Sequence, residues 1–449
     1  MSAPRPLRPI FGALHRWVGL IMAAFLFFSG VTGAIISWDH ELDELLNPHL
    51  LDARSQGPAL PSLELARAIE ARHPQVDVTW APLQVEQGHS LAFVVEPKVN
   101  PATGRLFDVG YNQVFINPPD GAELGTRNWG AVWPITRETF VSFLYQLHYT
   151  LHLPEMFGSD RWGVWLLGAI AILWTFDCFV GFYLTLPARR REAPPEVQAL
   201  DEQAPSAAPA RSYWQRWKPS WKVRWGGGAY RLNFDLHRAA GLWTWGLLFV
   251  VAFTAFSMNL YREVFFPAMS LVSDVTPSPF DLRTPSDHHA PIAPRLDRES
   301  AVRLAEAEAR RRGWEQPVGA LFYAREYGIY GVRFYRAEDG HGAGGVGHRA
   351  LYFDASDGRL LGDFQPWRGT AADLFVQAQF PLHSGRILGL PGRIAISIMG
   401  LVVAGLSVTG VYVWWRKRRA RLQAERRRRV AVSEPSGEGE LPPAAGTLA

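Results

Sequence analysis

One cysteine in 449 residues, Cys178, is too few for an intrachain disulfide, a cysteine-rich zinc site or the CxxCH attachment of a c-type haem. No Walker phosphate loop, nucleophile elbow or HExxH pair occurs. GAGGVG at Gly342–Gly347 fits G-x-G-x-x-G literally, but the alternating stretch HRALYFD follows it where a dinucleotide site needs a helix. It reads as a flexible hairpin loop. Net charge is also scarce: 46 Lys and Arg against 42 Asp and Glu leave +4. Those cations flank apolar runs instead of gathering on one folded face, so no nucleic-acid partner is expected.

What the chain does have is long apolar runs, hidden under a mean hydropathy of −0.05. From Trp17 to Trp38 about 22 residues pass without a charge, enough to cross the roughly 30 Å hydrocarbon core of a bilayer. Further runs lie at Trp162–Pro187, Ala239–Tyr261 and Ile394–Trp415. The 18 Trp crowd toward run ends, as in an interfacial aromatic belt. Arg189, Arg190 and Arg191 follow the second run, and Arg416, Lys417, Arg418 and Arg419 the fourth. By the positive-inside rule both termini are cytoplasmic, and the long loops between runs face outward.

The runs are built on a repeat. Leu-His-Arg opens the first at Leu14 and the third at Leu236, with a glycine at matching offset (Gly19, Gly241). YTLHLPEMFGSDRWG precedes the second run and FPLHSGRILGLPGRI the fourth, aligning His152 with His383 and Arg161 with Arg393. Each outer loop reads as helix, strand and strand ending in an Asp-Gly turn (NPPDG in the first, DASDG, a D-x-x-x-G turn, in the second), a small α+β module. The helices are LPSLELARAIEARHPQ, with Ser62 as N-cap, and ESAVRLAEAEARRRG.

The expected order is therefore an N-terminus and first span (1–38), an outer module ending in a histidine helix (39–160), and a second span (161–187). A linker (188–235) precedes the third span (236–262), the second outer module (263–391), the fourth span (392–415) and a basic tail (416–449), disordered after Arg429. In fold class this is an α-helical membrane protein: a four-helix core from an internal repeat, with two outer α+β domains. The linker reads as disordered up to Tyr213, where YWQRWKPSWKVRW suits an interfacial segment on anionic lipid.

Histidines at span mouths are the candidate site residues. His15 and His237 either stay hydrated at the interface or ligate one haem iron, with Arg16 and Arg238 as propionate partners. His152 and His383 form the obvious second pair, with Arg161 and Arg393 beside them. His148 stands one turn before His152, where the second half has Gln379. It could bind zinc with His152, replace His152 as ligand, or serve a substrate as the catalytic residue. His40 is a further candidate, and Asp177 is a carboxylate inside the second span, for structural pairing or proton handling. Gly400, Gly405 and Gly410 of the fourth span allow close helix packing or leave room for a porphyrin.

The LHR-led spans, the strand-turn signature YFDASDGRLLG and the two outer modules resemble the PepSY-associated transmembrane family, over about residues 10–418. Within it the chain is similar to iron-regulated inner-membrane proteins that reduce ferric siderophores. The resemblance implies a bacterial inner-membrane location, PepSY-fold periplasmic domains and b-type haem, two by the histidine count. The expected function is transmembrane electron transfer from a cytoplasmic donor to a ferric siderophore or other chelate. Two rivals are a membrane-anchored PepSY binding or regulatory protein without redox activity, and an iron or haem transporter.

Overall fold

The computed structural model describes residues 7–54, 57–188, 211–340 and 342–433. The arginines at 189–191, the first part of the linker (to residue 210) and the end of the tail lie outside the described residues. The main helices are α1 (Leu7–Ile36), α2 (Asp39–Leu46), α3 (Ser62–Arg72), α4 (Phe140–Thr150), α5 (Trp162–Thr185), α6 (Gly228–Trp243), α7 (Trp245–Asn259), α8 (Arg298–Arg311), α9 (Ala371–Ser384) and α10 (Gly389–Ser433).

Three of them, α1, α5 and α10, are long and apolar enough to cross a membrane, and four spans result if α6 and α7 count as one broken helix. The third span is thus not the single helix expected over 236–262: it is interrupted at Thr244, which leaves the helical conformation (φ −105, ψ 6). The fourth departs the other way. Its helix continues past the expected end at Trp415 to Ser433, into the segment expected to be disordered after Arg429. Contacts divide the chain into two units, one of Met1–Ala23, Val180–Trp243 and Gly405–Ala449, the other of Ala24–Phe179 and Thr244–Ala404.

In the second unit the two α+β modules share one antiparallel sheet. Its strands are β1 (Val76–Pro82), β2 (Leu91–Pro97), β3 (Gln113–Ile116), β4 (Glu123–Arg127), β5 (Val318–Ala324), β6 (Ile329–Phe334), β7 (Arg349–Asp354) and β8 (Leu360–Phe364). The order across the sheet is β8-β7-β6-β5-β1-β2-β3-β4. Alternation along β2 buries Leu91, Phe93 and Val95 against Leu65 and Ile69 of α3. Around the second module Leu321, Val332 and Leu351 pack on Ala301 and Ala305 of α8. Each such fully buried large side chain contributes about 1.5–3 kcal/mol.

The modules join through β1 and β5, where Trp80 pairs with Phe322 and Ala81 with Leu321. The Trp80 and Phe322 rings stack at 5.8 Å, and the Arg333 guanidinium lies 4.9 Å from the Trp80 ring centre. Behind the sheet Arg298 of α8 reaches Glu70 of α3 and donates to the Val78 carbonyl at 2.9 Å. Burial alone would raise the Glu70 carboxyl, but the Arg298 contact holds it below its ordinary value. The pair of separate domains is therefore one continuous sheet with two helices. One detail also shifts: Ser62 is the first residue of α3, with Pro61 at the cap.

Glycine governs the approach of helices in this unit. A Cβ at Gly30 of α1 would sit 2.6 Å from the Gly400 carbonyl oxygen of α10, and one at Gly400 would sit 2.4 Å from that of Gly30. No side chain fits there, so the backbones touch, as in small-residue membrane packing. Gly163 and Gly392 play a second part, each seating the start of a span on the end of a histidine helix. Their Cβ atoms would lie 1.7 Å from the Thr150 oxygen and 1.9 Å from the Gly385 oxygen.

Candidate haem-binding histidine pairs

Within the first unit, His15 of α1 and His237 of α6 bring their rings to 6.1 Å, centre to centre, at an interplanar angle of 57°. Within the second, the rings of His148 and His383 stand at 6.2 Å and again 57°. The first pair is the expected one. The second is not: His148 takes the place expected of His152. α4 ends at Leu151 in the left-handed conformation, and His152 follows with φ 52. That reversal turns the His152 ring back onto its own helix, where it stacks on Phe143 at 4.5 Å and places Nε2 2.9 Å from the Phe143 carbonyl.

Three of the four paired rings are oriented by one device. Thr32 donates its hydroxyl proton to the Phe28 carbonyl (2.7 Å), and its Oγ1 lies 3.1 Å from His148 Nδ1. Thr254 donates to the Val250 carbonyl (2.7 Å) and lies 3.0 Å from His383 Nδ1. Thr409 donates to the Gly405 carbonyl (2.7 Å) and lies 3.1 Å from His237 Nδ1, which is also 3.1 Å from the Leu406 carbonyl. A hydroxyl has one proton to give, so in each case Oγ1 accepts from Nδ1–H. The tautomer follows: Nδ1 carries the proton, and Nε2 keeps a lone pair for a metal.

Glycines make room for the rings. A Cβ at Gly33 would meet His148 Cε1 at 2.9 Å, one at Gly410 would meet His237 Cε1 at 3.1 Å, and one at Gly181 would meet His15 Cε1 at 3.5 Å. Of the fourth-span glycines, Gly400 serves helix packing and Gly410 a histidine, while a Cβ at Gly405 would meet nothing within 4 Å.

Two imidazoles fit a particular kind of metal group. Among the described residues no cluster of three or more His, Cys, Asp or Glu side chains could hold a bare ion. A metal between two ring nitrogens at about 2.0 Å each would set the ring centres about 6 Å apart, as observed in both pairs. Its remaining positions must come from a non-protein ligand, which suits the macrocycle of haem.

The arginines divide. The Nε atoms of Arg16 and Arg238, next in sequence to His15 and His237, are buried without hydrogen-bond partners. They fit a carboxylate such as a propionate. Arg161 and Arg393, expected in that role for the second pair, are engaged elsewhere. Arg161 bonds Glu263 (2.8 Å), and Arg393 bonds Glu41 with two contacts of 2.7 Å. Each reaches a glutamate from the opposite half of the repeat, which is why aligning the halves could not show it.

Other candidates sit apart. His40 is exposed, 3.3 Å from Glu44. Asp177 is half-buried in α5 beside buried Cys178, whose carbonyl accepts from Trp245 Nε1 at 2.9 Å. Gln379 is buried and accepts from the Ser257 hydroxyl at 2.8 Å. The Gly342–Gly347 loop is pinned: Trp367 Nε1 donates to the Ala343 carbonyl at 3.0 Å, and a Cβ at Gly345 would meet Arg386 Cβ at 2.6 Å. Thr32, Thr254 and Thr409 were not singled out in the sequence. A signal existed for two of them, since Thr32 follows His15, and Thr254 follows His237, by the same 17 residues.

Residues 13–417 match the family described as the PepSY-associated TM region. No curated protein matches the chain.

Proposed function

From the premise that the chain belongs to the PepSY-associated transmembrane family and is a membrane protein, we propose that it is a di-haem b inner-membrane protein. It passes electrons from a cytoplasmic donor across the bilayer to a ferric siderophore or similar chelate, which makes it a ferric-chelate oxidoreductase. The observation that carries this reading is the duplicated histidine pair, with equal ring spacing and tilt and Nδ1 committed to threonine in three of four rings. Structural histidines have no need of a second, matching partner at metal-bridging distance.

Bound haem supplies a one-electron ferric/ferrous couple. The chain's part is to hold it. His148, His237 and His383, with Nδ1 held by threonine, would present Nε2, and His15 faces His237 across the first pair. Arg16 and Arg238 offer buried donors to the inner propionates, and α1 runs unbroken for 30 residues, enough to cross the hydrocarbon core. In this reading the eight-stranded sheet is periplasmic and both termini are cytoplasmic. Reducing ferric iron weakens an oxygen-donor chelate, because the ferrous ion is softer and less charged.

The test is the visible spectrum of the purified protein. Dithionite should give a low-spin b-type spectrum, with two haems per chain by pyridine haemochrome. A colourless, folded protein sinks the proposal and favours the binding or regulatory alternative.

A further inference from the structure

Beyond Trp415 the last span does not stop. α10 runs on to Ser433, and every residue from 415 to 429 is exposed. Between 416 and 429 it carries nine Arg and Lys against one acidic residue, Glu425. From these observations we infer that this arm docks an acidic soluble protein, the electron carrier that the function proposed above requires; the inference rests on that reading for the carrier's role but not for the docking.

The geometry of the helix separates a soluble partner from lipid. Kinks arise at proline, at glycine or serine pairs or at π-bulges, and the sequence from Val411 to Val432 contains no proline, glycine or serine. The arm therefore leaves the bilayer along the line of its own span. From Trp415 to Arg429 is 14 residues, about 21 Å at the helical rise. Headgroup charges are screened within about 8 Å at physiological salt, so Arg426, Arg427, Arg428 and Arg429 stand beyond their reach. Nor is this a helix seeking an apolar partner: within 416–429 its uncharged residues are Ala420, Leu422, Gln423 and Ala424, too few for a stripe. Crowded like charges one turn apart oppose each other, and a partner that neutralises them relieves that cost.

The arm's root adjoins the inner histidines. Arg418 lies over the Trp414 ring and Arg419 over Trp415, at 5.4 and 4.9 Å. Lys417 Nζ is 5.7 Å from the ring centre of Phe234, which Arg238 also covers at 5.4 Å. Next in sequence, fully buried Asp235 binds Arg224 through two contacts of 2.7 and 2.8 Å, and Arg238 at 3.1 Å, with Arg231 at 3.4 Å. One carboxylate thus holds three guanidiniums, and His237 lies two residues further on. Positive charge is continuous in kind from the arm to the His15–His237 pair, the arrangement that steers an acidic surface and brings its redox centre near. Such steering raises association rates by 10- to 1,000-fold and falls with salt.

The test uses the full chain in nanodiscs of phosphatidylcholine, with purified flavodoxin, an acidic one-electron carrier, as probe. Binding is read by fluorescence anisotropy of labelled flavodoxin, which needs no haem. The wild type should bind at low salt and weaken at least tenfold in high salt. Replacing Arg426, Arg427, Arg428 and Arg429 together by Gln should weaken low-salt binding at least tenfold with the melting profile unchanged. Equal binding by both proteins overturns the inference, as does binding confined to phosphatidylglycerol vesicles or duplex DNA. A protein that binds flavodoxin but shows no haem spectrum would sink the proposed function and leave the docking arm standing.

Discussion

His148→Ala and His152→Ala make opposite predictions at neighbouring positions on the chain. The His148 ring faces His383 at 6.2 Å, and its Nδ1 is 3.1 Å from Thr32 Oγ1. If this pair holds a haem as proposed, removing the ring takes away one of its two imidazole ligands, so His148→Ala should lose half of the bound haem, or leave that half high-spin. Imidazole added to the buffer should restore the low-spin spectrum by entering the space vacated. His152 stacks on Phe143 and hydrogen-bonds its carbonyl at 2.9 Å. His152→Ala forfeits that bond, about 0.5–1.5 kcal/mol, and the ring stack, about 0.5–1.5 kcal/mol. It should therefore cost about 1–3 kcal/mol of stability while leaving the haem content and spectrum of the surviving protein unchanged. The assay is the haem-to-protein ratio with reduced and oxidised spectra, beside a thermal melt. If His152→Ala halves the haem and His148→Ala does not, the assignment from ring geometry is wrong.

Gly33→Val would force a side chain against His148 Cε1, 2.9 Å from where the new Cβ must lie; the reduced spectrum of one haem should shift while His15 and His237 keep the other. Asp354, the last residue of β7, is held down to about 2: burial works to raise it, but the Ser356 hydroxyl and amide and Arg283 outweigh that. Its folded pKa lies below its unfolded one, so its stabilisation, about 2 kcal/mol, is complete above about pH 4 and lost as pH falls toward 2. Melts of wild type and Asp354→Asn should therefore differ at pH 7 and converge by pH 2, and a constant gap would refute this. Trp80→Ala should loosen the β1–β5 seam, seen as faster amide exchange in those strands with β2–β4 and β6–β8 still protected; uniform exchange across the sheet would mean that the modules have independent edges.

The sequence made some parts of the fold plain and hid others for physical reasons. Long uncharged runs are legible because a bilayer demands them, and α3, α8 and β2 carry clean periodicities. Of the four strands in each module the pattern shows two, and among the hidden ones VDVTWAP and VGALFYA are β1 and β5, the two that pair to fuse the modules. Their burial patterns do not alternate regularly, with Val78 and Thr79 both buried in β1 and four buried residues in succession opening β5. Period-two reasoning has nothing to hold where a strand is covered on both faces. The break at Thr244 is nearly silent, since Thr is tolerated in a helix, no proline is near, and the flanking Gly241 and Gly246 are common within membrane helices.

The site shows the same division. The Leu-His-Arg echo aligned His15 with His237, and their rings meet. The second echo misled because it matched dipeptides instead of helix ends. Gly163 seats against Thr150 and Gly392 against Gly385, so Thr150 and Gly385 are the equivalent positions, each two residues after the histidine that pairs. Measured from there, His148 corresponds to His383. The first half needs 13 residues to pass from helix end to span (150 to 163), and the second needs 7 (385 to 392). The six extra residues carry His152, whose resemblance to a ligand in the alignment is a by-product of that longer turn. The reciprocal ion pairs make the complementary point. Glu41 and Glu263 are 222 residues apart, the same offset as His15 and His237, yet each bonds the other half's arginine. Duplication preserves such a contact when two halves face each other, because a bond from one half to the other has a partner bond running back. Those crossed bonds explain why Arg161 and Arg393 are conscripted away from the histidines, while Arg16 and Arg238 keep an unpartnered Nε beside theirs.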